Sequence, residues 1–505
     1  MLGQTFSAIN KGLETIKIEV EVQTTFGKPS FIIIGLANRV IDESRERITA
    51  ALVQCGIRIK PKKTLVNLAP ADLDKRSSSV ELAIAVAILK LYGEIHLDTS
   101  HSLFLGELAL DGRLRRIRGF VSIALAAQAM GFTKIYFPQE NLGELLNIKG
   151  IEFYPLVSLQ QFLAFARGRV HLKLAVFGSS QKPPKTLTRE VNQVDFAHIF
   201  GQRQAKKALE IVAAGRHNLL MFGPPGSGKS LLAHALLSIL PDLSEKEFLE
   251  INRIHSLCGL LQNALLTKRP FRSPHQSISQ LALIGGGFYQ SPGEISLAHR
   301  GILFLDEFAE FKHQLIEMLR QPLETGVIEI NHGNQRCLYP ANFTLLAASN
   351  PCPCGFAGSS KHVCRCSDYD LKRYQSKFSG PILDRIDLML RVESVENLST
   401  LEQGVENSQT VKARVEAAAA LQRQRYFKTA FQDNASLDSQ AVLQFCTIDS
   451  EAKKTLDLIA NHQQFSTRTY FKLFKVAQTL ADLAAVKIIH KEQILEALNF
   501  RDFFI

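Results

Sequence analysis

The chain has 505 residues, 46% of them hydrophobic, and a formal net charge of +11. At about 150 residues per domain this length predicts about three domains, and the hydrophobic content excludes a wholly disordered chain. No apolar run approaches the roughly 18 residues of a membrane span, and the N-terminus has no apolar signal segment, so we expect a cytoplasmic protein without a membrane partner. The positive net charge favours a polyanionic partner.

Residues 1–175 alternate strand and helix signals, which predicts an α/β domain. KIEVEV alternates with period two, and FIIIG, KTLVNLAP and KIYFP are short apolar runs, so all four are predicted strands. Helical runs interleave with them, and each ends at a glycine. The stretch LGELALDGRLRRI predicts a β-hairpin that turns at Asp111 and Gly112.

The rest of the chain divides into a linker and two further domains. Residues 176–190 are rich in Ser, Pro and Lys and predict an exposed linker. Residues 191–394 predict a second α/β domain, whose strands HNLLMFG, GILFLDEF and NFTLLAASN are apolar runs of the kind buried in a parallel sheet. Residues 395–505 show only helical patterns, so the predicted fold class is α/β with a helical C-terminal domain.

LLMFGPPGSGKS fits the phosphate-binding pattern G-x-x-x-x-G-K-[ST], and it lies between an apolar strand and the helix LLAHALLSIL. Its glycines let backbone N–H groups turn toward phosphate, and the helix N-terminus adds its positive dipole end. We therefore predict ATP and Mg²⁺ as cofactors, with Lys229 reaching the β- and γ-phosphates and Ser230 ligating the metal. The residues predicted to bind nucleotide are Gly223, Pro224, Pro225, Gly226, Ser227, Gly228, Lys229 and Ser230.

GILFLDEF ends in two carboxylates at the C-terminal end of a predicted buried strand, where α/β folds bind ligands. By itself such a pair usually marks a solvated strand end. The phosphate-binding loop upstream favours hydrolysis, in which Asp306 holds Mg²⁺ and Glu307 polarises the attacking water. Another apolar strand ends in Asn350, whose side chain could orient that water.

The order of these motifs resembles that of the AAA+ ATPases of the magnesium-chelatase-like branch, and most closely the bacterial ComM (YifB) proteins. The matching stretches include GQRQAKKALEIVAAGRHNLLMFGPPGSGKS, PFRSPH, LRQPLETG, SNPCPCG and SGPILDRIDL. The resemblance implies that Asn350 is sensor 1, Arg385 the arginine finger offered to a neighbour's ATP, and Arg468 sensor 2. Taken alone, each arginine is typical of a surface ion pair. A finger acting on a neighbour implies self-association into a ring, typically a hexamer.

The N-terminal domain resembles the Lon protease domain, of ribosomal-protein-S5-like fold, which uses a Ser-Lys dyad. Ser79 lies nearest the nucleophile's place, but Val121 and Ile123 stand where the lysine would fall. A serine without a base is a poor nucleophile, so we predict a non-proteolytic scaffold or nucleic-acid-binding domain. A run of four arginines in this domain is either a solvated hairpin or a phosphate-backbone contact. These arginines are Arg113, Arg115, Arg116 and Arg118.

Two stretches are candidates for contact with DNA. ETGVIEINHGNQRCLYPANF predicts a β-hairpin with a Gly-Asn turn and matches the family's pre-sensor hairpin, with His332, Asn334 and Arg336 near its tip. On its residues alone an ordinary exposed hairpin is the favoured interpretation. IGGGFYQSPGEISLAH corresponds to a helix insert that projects toward the pore in related ATPases, and its glycines suit a mobile loop or a close backbone approach.

The resemblance implies an ATP-dependent DNA motor that drives branch migration of recombination intermediates during natural transformation, with single-stranded or branched DNA as partner. The alternative is a chelatase-like ATPase that remodels a protein partner. Stimulation of ATP hydrolysis by DNA separates the two.

Four of the eight cysteines form two C-x-C pairs in residues 352–366. Reduced thiolates suit tetrahedral Zn²⁺, although C-x-C is tighter than the usual spacing of zinc ligands, and packing cysteines are the alternative. The candidate ligands are Cys352, Cys354, Cys364 and Cys366. A bound metal would also hold the nearby Lys361, Arg365, Lys372 and Arg373 against DNA or a neighbouring subunit.

Overall fold

A computed structural model gives the fold of most of the chain. It describes residues 2–35, 38–70, 78–175, 194–261, 264–287, 290–332, 335–358, 362–378, 380–393 and 406–501. The predicted linker at 176–190, Asn334 and Lys361 lie outside these ranges.

A seven-stranded mixed sheet forms the centre of the N-terminal domain, in the order β3-β4-β2-β1-β5-β8-β9. The strands of this domain are β1 Leu2–Lys11, β2 Glu14–Thr25, β3 Ser30–Ile34, β4 Lys63–Ala69, β5 Ser102–Phe104, β6 Glu107–Leu108, β7 Leu114–Arg115, β8 Lys134–Pro138 and β9 Glu152–Leu156. Its helices are α1 Asn38–Gln54, α2 Glu81–Leu91, α3 Phe120–Ala127 and α4 Leu159–Ala166. The four predicted strands are present as β2, β3, β4 and β8, and the predicted hairpin is the antiparallel pair β6–β7.

The second sheet has five strands, all parallel, in the order β11-β14-β17-β10-β18. The strands of this part are β10 Leu219–Phe222, β11 Phe271–Arg272, β12 Gly285–Gly286, β13 Ser291–Pro292, β14 Ile302–Leu305, β15 Val327–His332, β16 Gln335–Pro340, β17 Thr344–Ser349 and β18 Leu388–Arg391. Every residue of β10, β14 and β17 is buried, which is why their sequences are continuous apolar runs.

Short helices connect these strands, and longer helices follow them. The helices of this part are α5 Arg203–Gly215, α6 Lys229–Ile239, α7 Glu245–Leu257, α8 Gln280–Ile284, α9 Glu294–Leu297, α10 His313–Met318, α11 Arg320–Thr325, α12 Asp368–Gln375 and α13 Gly380–Leu383. The C-terminal helices are α14 Ser408–Arg425, α15 Ser439–Phe445, α16 Ser450–His462, α17 Thr467–Leu483 and α18 Lys491–Leu498. Val212, Leu236, Val415 and Leu480 belong to one core, so the C-terminal helices pack on the helices of the parallel sheet. The predicted fold class is confirmed.

The N-terminal domain contacts α7 directly. The N–H of Gly119 donates to the carbonyl of Ser256 at 2.9 Å, and a guanidinium nitrogen of Arg253 donates to the carbonyl of Leu13 at 2.7 Å. Val121, at the start of α3, packs in a small apolar cluster with Leu261. The side chain at this position is therefore part of the interface with the part of the chain that carries the parallel sheet.

The structure places hydrophobic packing where the protease resemblance would require a lysine. Ser79 is buried in a short 3₁₀ turn before α2, while Val121 and Ile123 are 0% and 1% exposed. Among the described helices, none is long and apolar enough to cross a membrane.

Candidate functional site

The phosphate-binding loop lies between the buried strand β10 and helix α6. Gly226 and Gly228 have φ of +76° and +89°, a left-handed conformation that glycine adopts without strain. A Cβ on Gly223 would lie 2.2 Å from the carbonyl oxygen of Val392, so this position needs glycine for close backbone approach. Two different constraints therefore explain the glycines of the motif.

Lys229 points into the loop. Its Nζ donates to the carbonyls of Gly223 at 2.8 Å and Pro224 at 3.0 Å, and it lies 3.5 Å from Oδ1 of Asn350. Burial lowers the pKa of Lys229, and the charge of Asp306 opposes this shift. The ammonium is thus held at the centre of the loop, beside the end of β17.

Ser230, in the first turn of α6, contacts Asp306, which follows β14. The hydroxyl of Ser230 donates to Oδ2 of Asp306 at 2.8 Å, and the N–H of Glu307 donates to Oδ1 of the same aspartate at 3.0 Å. A hydroxyl and a carboxylate are the oxygen donors that Mg²⁺ prefers, so this pair fits the predicted metal. Glu307 is exposed and has φ of +51°, a conformation rare outside glycine and frequent at functional sites.

Asn350 follows β17, the strand between β10 and β14. The N–H of Gly223 donates to the carbonyl of Ser349 at 3.2 Å, which joins the start of the phosphate-binding loop to the residue before Asn350. The strands β14, β17 and β10 are adjacent and parallel, so the residues that follow them lie at one edge of the sheet. These residues are Asp306 with Glu307 after β14, Asn350 after β17, and Lys229 at the start of α6, beyond the loop that follows β10. We call these residues, together with the loop Gly223–Ser230, the nucleotide edge.

The two predicted arginines form a separate arrangement. Nη2 of Arg385 donates to Oε2 of Glu324 at 2.8 Å, and Nη2 of Arg468 donates to Oε1 of Glu324 at 3.0 Å. In the part of the chain that the structure describes, neither arginine has a hydrogen bond or ion pair with Lys229 or Asp306. We call Arg385, Arg468 and Glu324 the arginine group.

The segment that carries Arg385 is anchored to β10 by Asn218. The Nδ2 of Asn218 donates to the carbonyl of Arg385 at 3.0 Å, and its Oδ1 accepts from the N–H of Leu345 at 2.8 Å. Asp387 accepts from the N–H of Asn218 at 2.9 Å, and although burial opposes it, Lys472 holds the pKa of this aspartate well below its ordinary value. One amide side chain therefore ties the strands of the phosphate-binding loop and Asn350 to the segment of Arg385.

The four candidate zinc ligands come together, with all their sulfur atoms within 4.8 Å of one another. The Sγ of Cys352 lies 3.3 Å from that of Cys354 and 3.8 Å from that of Cys364, and the last two are 3.6 Å apart. Zinc–sulfur bonds of about 2.3 Å place tetrahedral sulfurs about 3.8 Å apart, so the group fits zinc. Backbone N–H groups of Arg365 and Phe356 lower the pKa of Cys354 to about 6, whereas burial raises the pKa of Cys352.

The cysteine segment also lies against the phosphate-binding loop. Gly355 has φ of +85°, and a Cβ on it would lie 2.7 Å from Cδ of Pro225. Cys352, two residues after Asn350, is buried. The segment therefore continues from Asn350 and also lies against Pro225, and the sequence did not indicate the second contact. Three of the predicted basic neighbours, Arg365, Lys372 and Arg373, are exposed.

The predicted hairpin is the antiparallel pair β15–β16, whose last paired residues are His332 and Gln335. His332 ends β15, its side chain lies outside the described part of the molecule, and so does the whole of Asn334. Arg336 is exposed and donates to Oε2 of Glu329 at 2.6 Å. Its charge is therefore paired with a carboxylate on the facing strand.

Comparison with known proteins places the chain in a family. Residues 195–400 match the family described as "Magnesium chelatase, subunit ChlI", residues 20–141 match "Subunit ChlI of Mg-chelatase", and residues 405–501 match "Magnesium chelatase, subunit ChlI C-terminal". The chain is 39% identical to the uncharacterized protein YifB of Escherichia coli (strain K12), over 97% of this chain and 95% of YifB. It is 36% identical to the competence protein ComM of Haemophilus influenzae, over 99% of this chain and 97% of ComM.

The chain belongs to the ComM (YifB) family of magnesium-chelatase-like AAA+ ATPases. A shorter match, 25% identical over 31% of this chain and 52% of the relative, is to the magnesium-chelatase 38 kDa subunit of Cereibacter sphaeroides. The resemblance predicted from the motifs is confirmed.

Two glycines of IGGGFYQSPGEISLAH, Gly285 and Gly286, form strand β12, which pairs with β13. A Cβ on Gly285 would lie 2.4 Å from the carbonyl oxygen of Ser291, so the glycines permit close backbone approach. Helices α8 and α9 are confined to the flanks of this pair.

The arginine run of the N-terminal domain is largely neutralised by carboxylates. The pairs are Arg113 with Asp111, Arg115 with Glu107, and Arg116 with Glu144. Glu144 is buried, and the Nη2 of Arg116 lies 2.7 Å from its Oε1, so this arginine has a structural partner. Of the two interpretations of the run, the structure favours the solvated hairpin for Arg113 and Arg115.

Glu324 and Asn218 are the residues that sequence reasoning missed. Glu324 stands in LRQPLETG, a stretch recognised only as a family match, and Asn218 precedes the apolar run of β10. A carboxylate in a family motif was a signal that could have been followed. Nothing in the local sequence of Asn218 indicated its contacts with strands far along the chain.

Proposed function

We propose that the chain is an ATP-dependent DNA motor, a hexameric helicase or branch-migration factor that acts on recombination intermediates in natural transformation. The observation that carries the ATP-dependent part of the proposal is the meeting of Lys229, Ser230, Asp306 and Asn350 at one edge of a parallel sheet, with oxygen ligands 2.8 Å apart where Mg²⁺ would bind. The name of the Haemophilus relative, competence protein ComM, supports the role in natural transformation.

Each residue of the nucleotide edge has a proposed role in hydrolysis. Lys229 binds the β- and γ-phosphates, and Ser230 with Asp306 holds Mg²⁺, which neutralises charge on the phosphate oxygens. Glu307, exposed beside Asp306, accepts a proton from the attacking water, and Asn350 orients that water. The 3.5 Å approach of Lys229 to Asn350 supports action on the same phosphate.

The arginine group is proposed to serve the ATP of a neighbouring subunit. Arg385 and Arg468 share one carboxylate and have no contact with Lys229 or Asp306 among the described residues. Two cations on a common surface suit the charge that develops on a transferring phosphoryl group. A contact between unlike surfaces of identical subunits forms a ring when the rotation between subunits closes, as in the proposed hexamer.

The hairpin β15–β16 is proposed to touch the DNA backbone through His332, Asn334 and Arg336. Arg336 is exposed at the second position of β16, and an arginine can exchange its carboxylate partner for a phosphate oxygen. DNA passing the hairpin would be pulled as ATP hydrolysis moves the subunits.

Structural zinc is the proposed ligand of Cys352, Cys354, Cys364 and Cys366. The sulfur separations of 3.3 to 3.8 Å support a tetrahedral site of four thiolates. Such a site would stiffen the segment between Asn350 and Arg385.

A chelatase-like ATPase that remodels a protein partner is the second candidate. The pairing of Arg336 with Glu329, and of Arg116 with Glu144, favours it, because both pairs reduce the positive charge available to DNA. The match to the magnesium-chelatase 38 kDa subunit points the same way.

Migration of a synthetic four-way DNA junction tests the proposal. We expect movement of the branch point that requires ATP, and stimulation of ATP turnover by the same junction. Lys229→Ala and Glu307→Gln serve as inactive controls. ATP turnover that no DNA stimulates, together with the absence of salt-sensitive DNA binding, would favour the protein-remodelling candidate.

A further inference from the structure

Glu324, in the stretch LRQPLETG, joins three separate elements of the chain. It lies near the end of α11, Arg385 lies between α13 and β18, and Arg468 lies in the first turn of α17. Each arginine binds a different oxygen of the same carboxylate, at 2.8 and 3.0 Å. The carboxylate therefore links the parallel sheet to the C-terminal helices at the point where both arginines emerge.

The charges of this arrangement do not cancel. Two guanidinium groups share one carboxylate, and Arg320, one turn earlier on α11, is paired with Glu317 at 2.7 Å. Like charges held this close repel each other, so without Glu324 the two arginines would separate. Because one positive charge remains in excess, the group stays attractive to a phosphate.

The exposure of the group leaves it open to a neighbouring molecule. The side chains of Glu324 and Arg468 are 52% and 57% exposed, whereas that of Arg385 is 11% exposed. An additional hydrogen bond from Nη1 of Arg385 to the carbonyl of Pro381, at 2.6 Å, holds the finger close to its own segment. The direction of the Arg385 side chain is therefore set by the carbonyl of Pro381 and the carboxylate of Glu324, and of these two only Glu324 is charged.

The same carboxylate stands next to the hairpin. Helix α11 ends two residues before β15, and the one residue between them, Gly326, has φ of +66°. The carbonyl of Gly326 accepts from the N–H of Ala341 at 2.7 Å, which closes the base of the hairpin. Only Thr325 and Gly326 separate Glu324 from β15, so a shift of β15 also displaces the backbone of Glu324.

We propose that Glu324 is a positioning residue that holds Arg385 and Arg468 as one unit and couples that unit to the hairpin β15–β16. DNA at the hairpin of one subunit then sets the rate of ATP hydrolysis at the neighbouring subunit. The inference rests on the proposed function, because it takes the arginines to serve a neighbour's ATP. Glu324 itself binds neither ATP nor DNA.

The test compares Glu324→Gln with wild type in the full-length chain. The amide keeps the size of the side chain and removes its charge. We expect ADP affinity to stay at the wild-type value, basal ATP turnover to fall about tenfold, as for a coupling between two sites, and the stimulation by a four-way junction to disappear. Glu317→Gln is the matched control, because it removes a nearby carboxylate that pairs with Arg320, and it should keep all three values.

A second comparison separates positioning from a loss of structure. The Arg468→Ala variant lacks the ion pair between Arg468 and Glu324. Adding Glu324→Gln to this variant should therefore lower ATP turnover by a smaller factor than it does in wild type. Equal losses in both backgrounds would overturn the positioning role.

The remaining outcomes are also decisive. Wild-type turnover in Glu324→Gln overturns the inference, and so does increased turnover, since the carboxylate would then restrain the arginines. Reduced turnover with unchanged DNA stimulation overturns the coupling to the hairpin. Failure of the proposed function looks different: wild type itself is not stimulated by DNA, or Arg385→Ala keeps its turnover. In that case the basal ATP turnover of Glu324→Gln still shows whether Glu324 supports hydrolysis.

Discussion

The nucleotide edge and the arginine group are built in different ways. Asp306 and Asn350 directly follow buried parallel strands, and Lys229 begins helix α6 at the end of the loop that leaves β10, so the register of the sheet fixes their positions. The arginine group comes from the end of one helix, a loop and the start of another helix, and side-chain ion pairs hold it together. The proposed nucleotide site is therefore set by the backbone, whereas the group proposed to act on a neighbour depends on side-chain ion pairs that can rearrange.

Arg385→Ala gives the sharpest test of this contrast. Removing an arginine finger typically costs a factor of about 10³ or more in turnover, while the nucleotide edge of the same subunit is untouched. We therefore expect ATP turnover to be almost abolished and the affinity for a fluorescent ATP analogue to remain at the wild-type value. Turnover near wild type would show that Arg385 serves no ATP.

Glu307→Gln should break the nucleotide edge without disturbing the arginine group. The amide cannot accept a proton from water, and loss of a general base costs about 10²- to 10⁴-fold. Lys229, Ser230 and Asp306 remain, so the variant should bind ATP and retain it in a filter-binding assay. If ATP were still hydrolysed at a comparable rate, another group would have to be the base.

Removal of the cysteine site tests whether it supports the nucleotide edge. Cys354→Ser should abolish stoichiometric zinc in metal analysis and weaken ATP binding by about tenfold, because the cysteine segment lies against Pro225 of the phosphate-binding loop. Cys55→Ser, in the N-terminal domain, is the control and should keep both. Zinc-free wild-type protein with full ATP affinity would contradict the proposed site.

Arg336→Gln should have the smallest effect. Loss of one phosphate contact lowers the slope of log affinity against log salt by about 1 and weakens DNA binding at low salt by a few fold. Arg45→Gln, which removes a half-buried arginine that pairs with Asp42 and Glu46, is the control. An unchanged salt slope would remove Arg336 from the DNA contact.

The sequence predicted the features that depend on residues close together in the chain. Apolar runs predicted the strands, the loop motif predicted the turn before α6, and the residues after each strand predicted what meets at the sheet edge. It did not predict the contacts between Glu324 and Arg468, which are 144 residues apart, or between Gly355 and Pro225. Such contacts depend on how separate elements pack, and no local pattern records that packing.

In the proposed ring, one subunit supplies the nucleotide edge and its neighbour supplies the arginine group. Mixing two inactive proteins tests this division of roles. Lys229→Ala keeps its arginine group and Arg385→Ala keeps its nucleotide edge, so in equal mixtures about a quarter of ring interfaces join two intact halves. We predict that ATP turnover returns on mixing to about that fraction of wild type. Mixtures that assemble into rings and stay as inactive as their components would contradict the account.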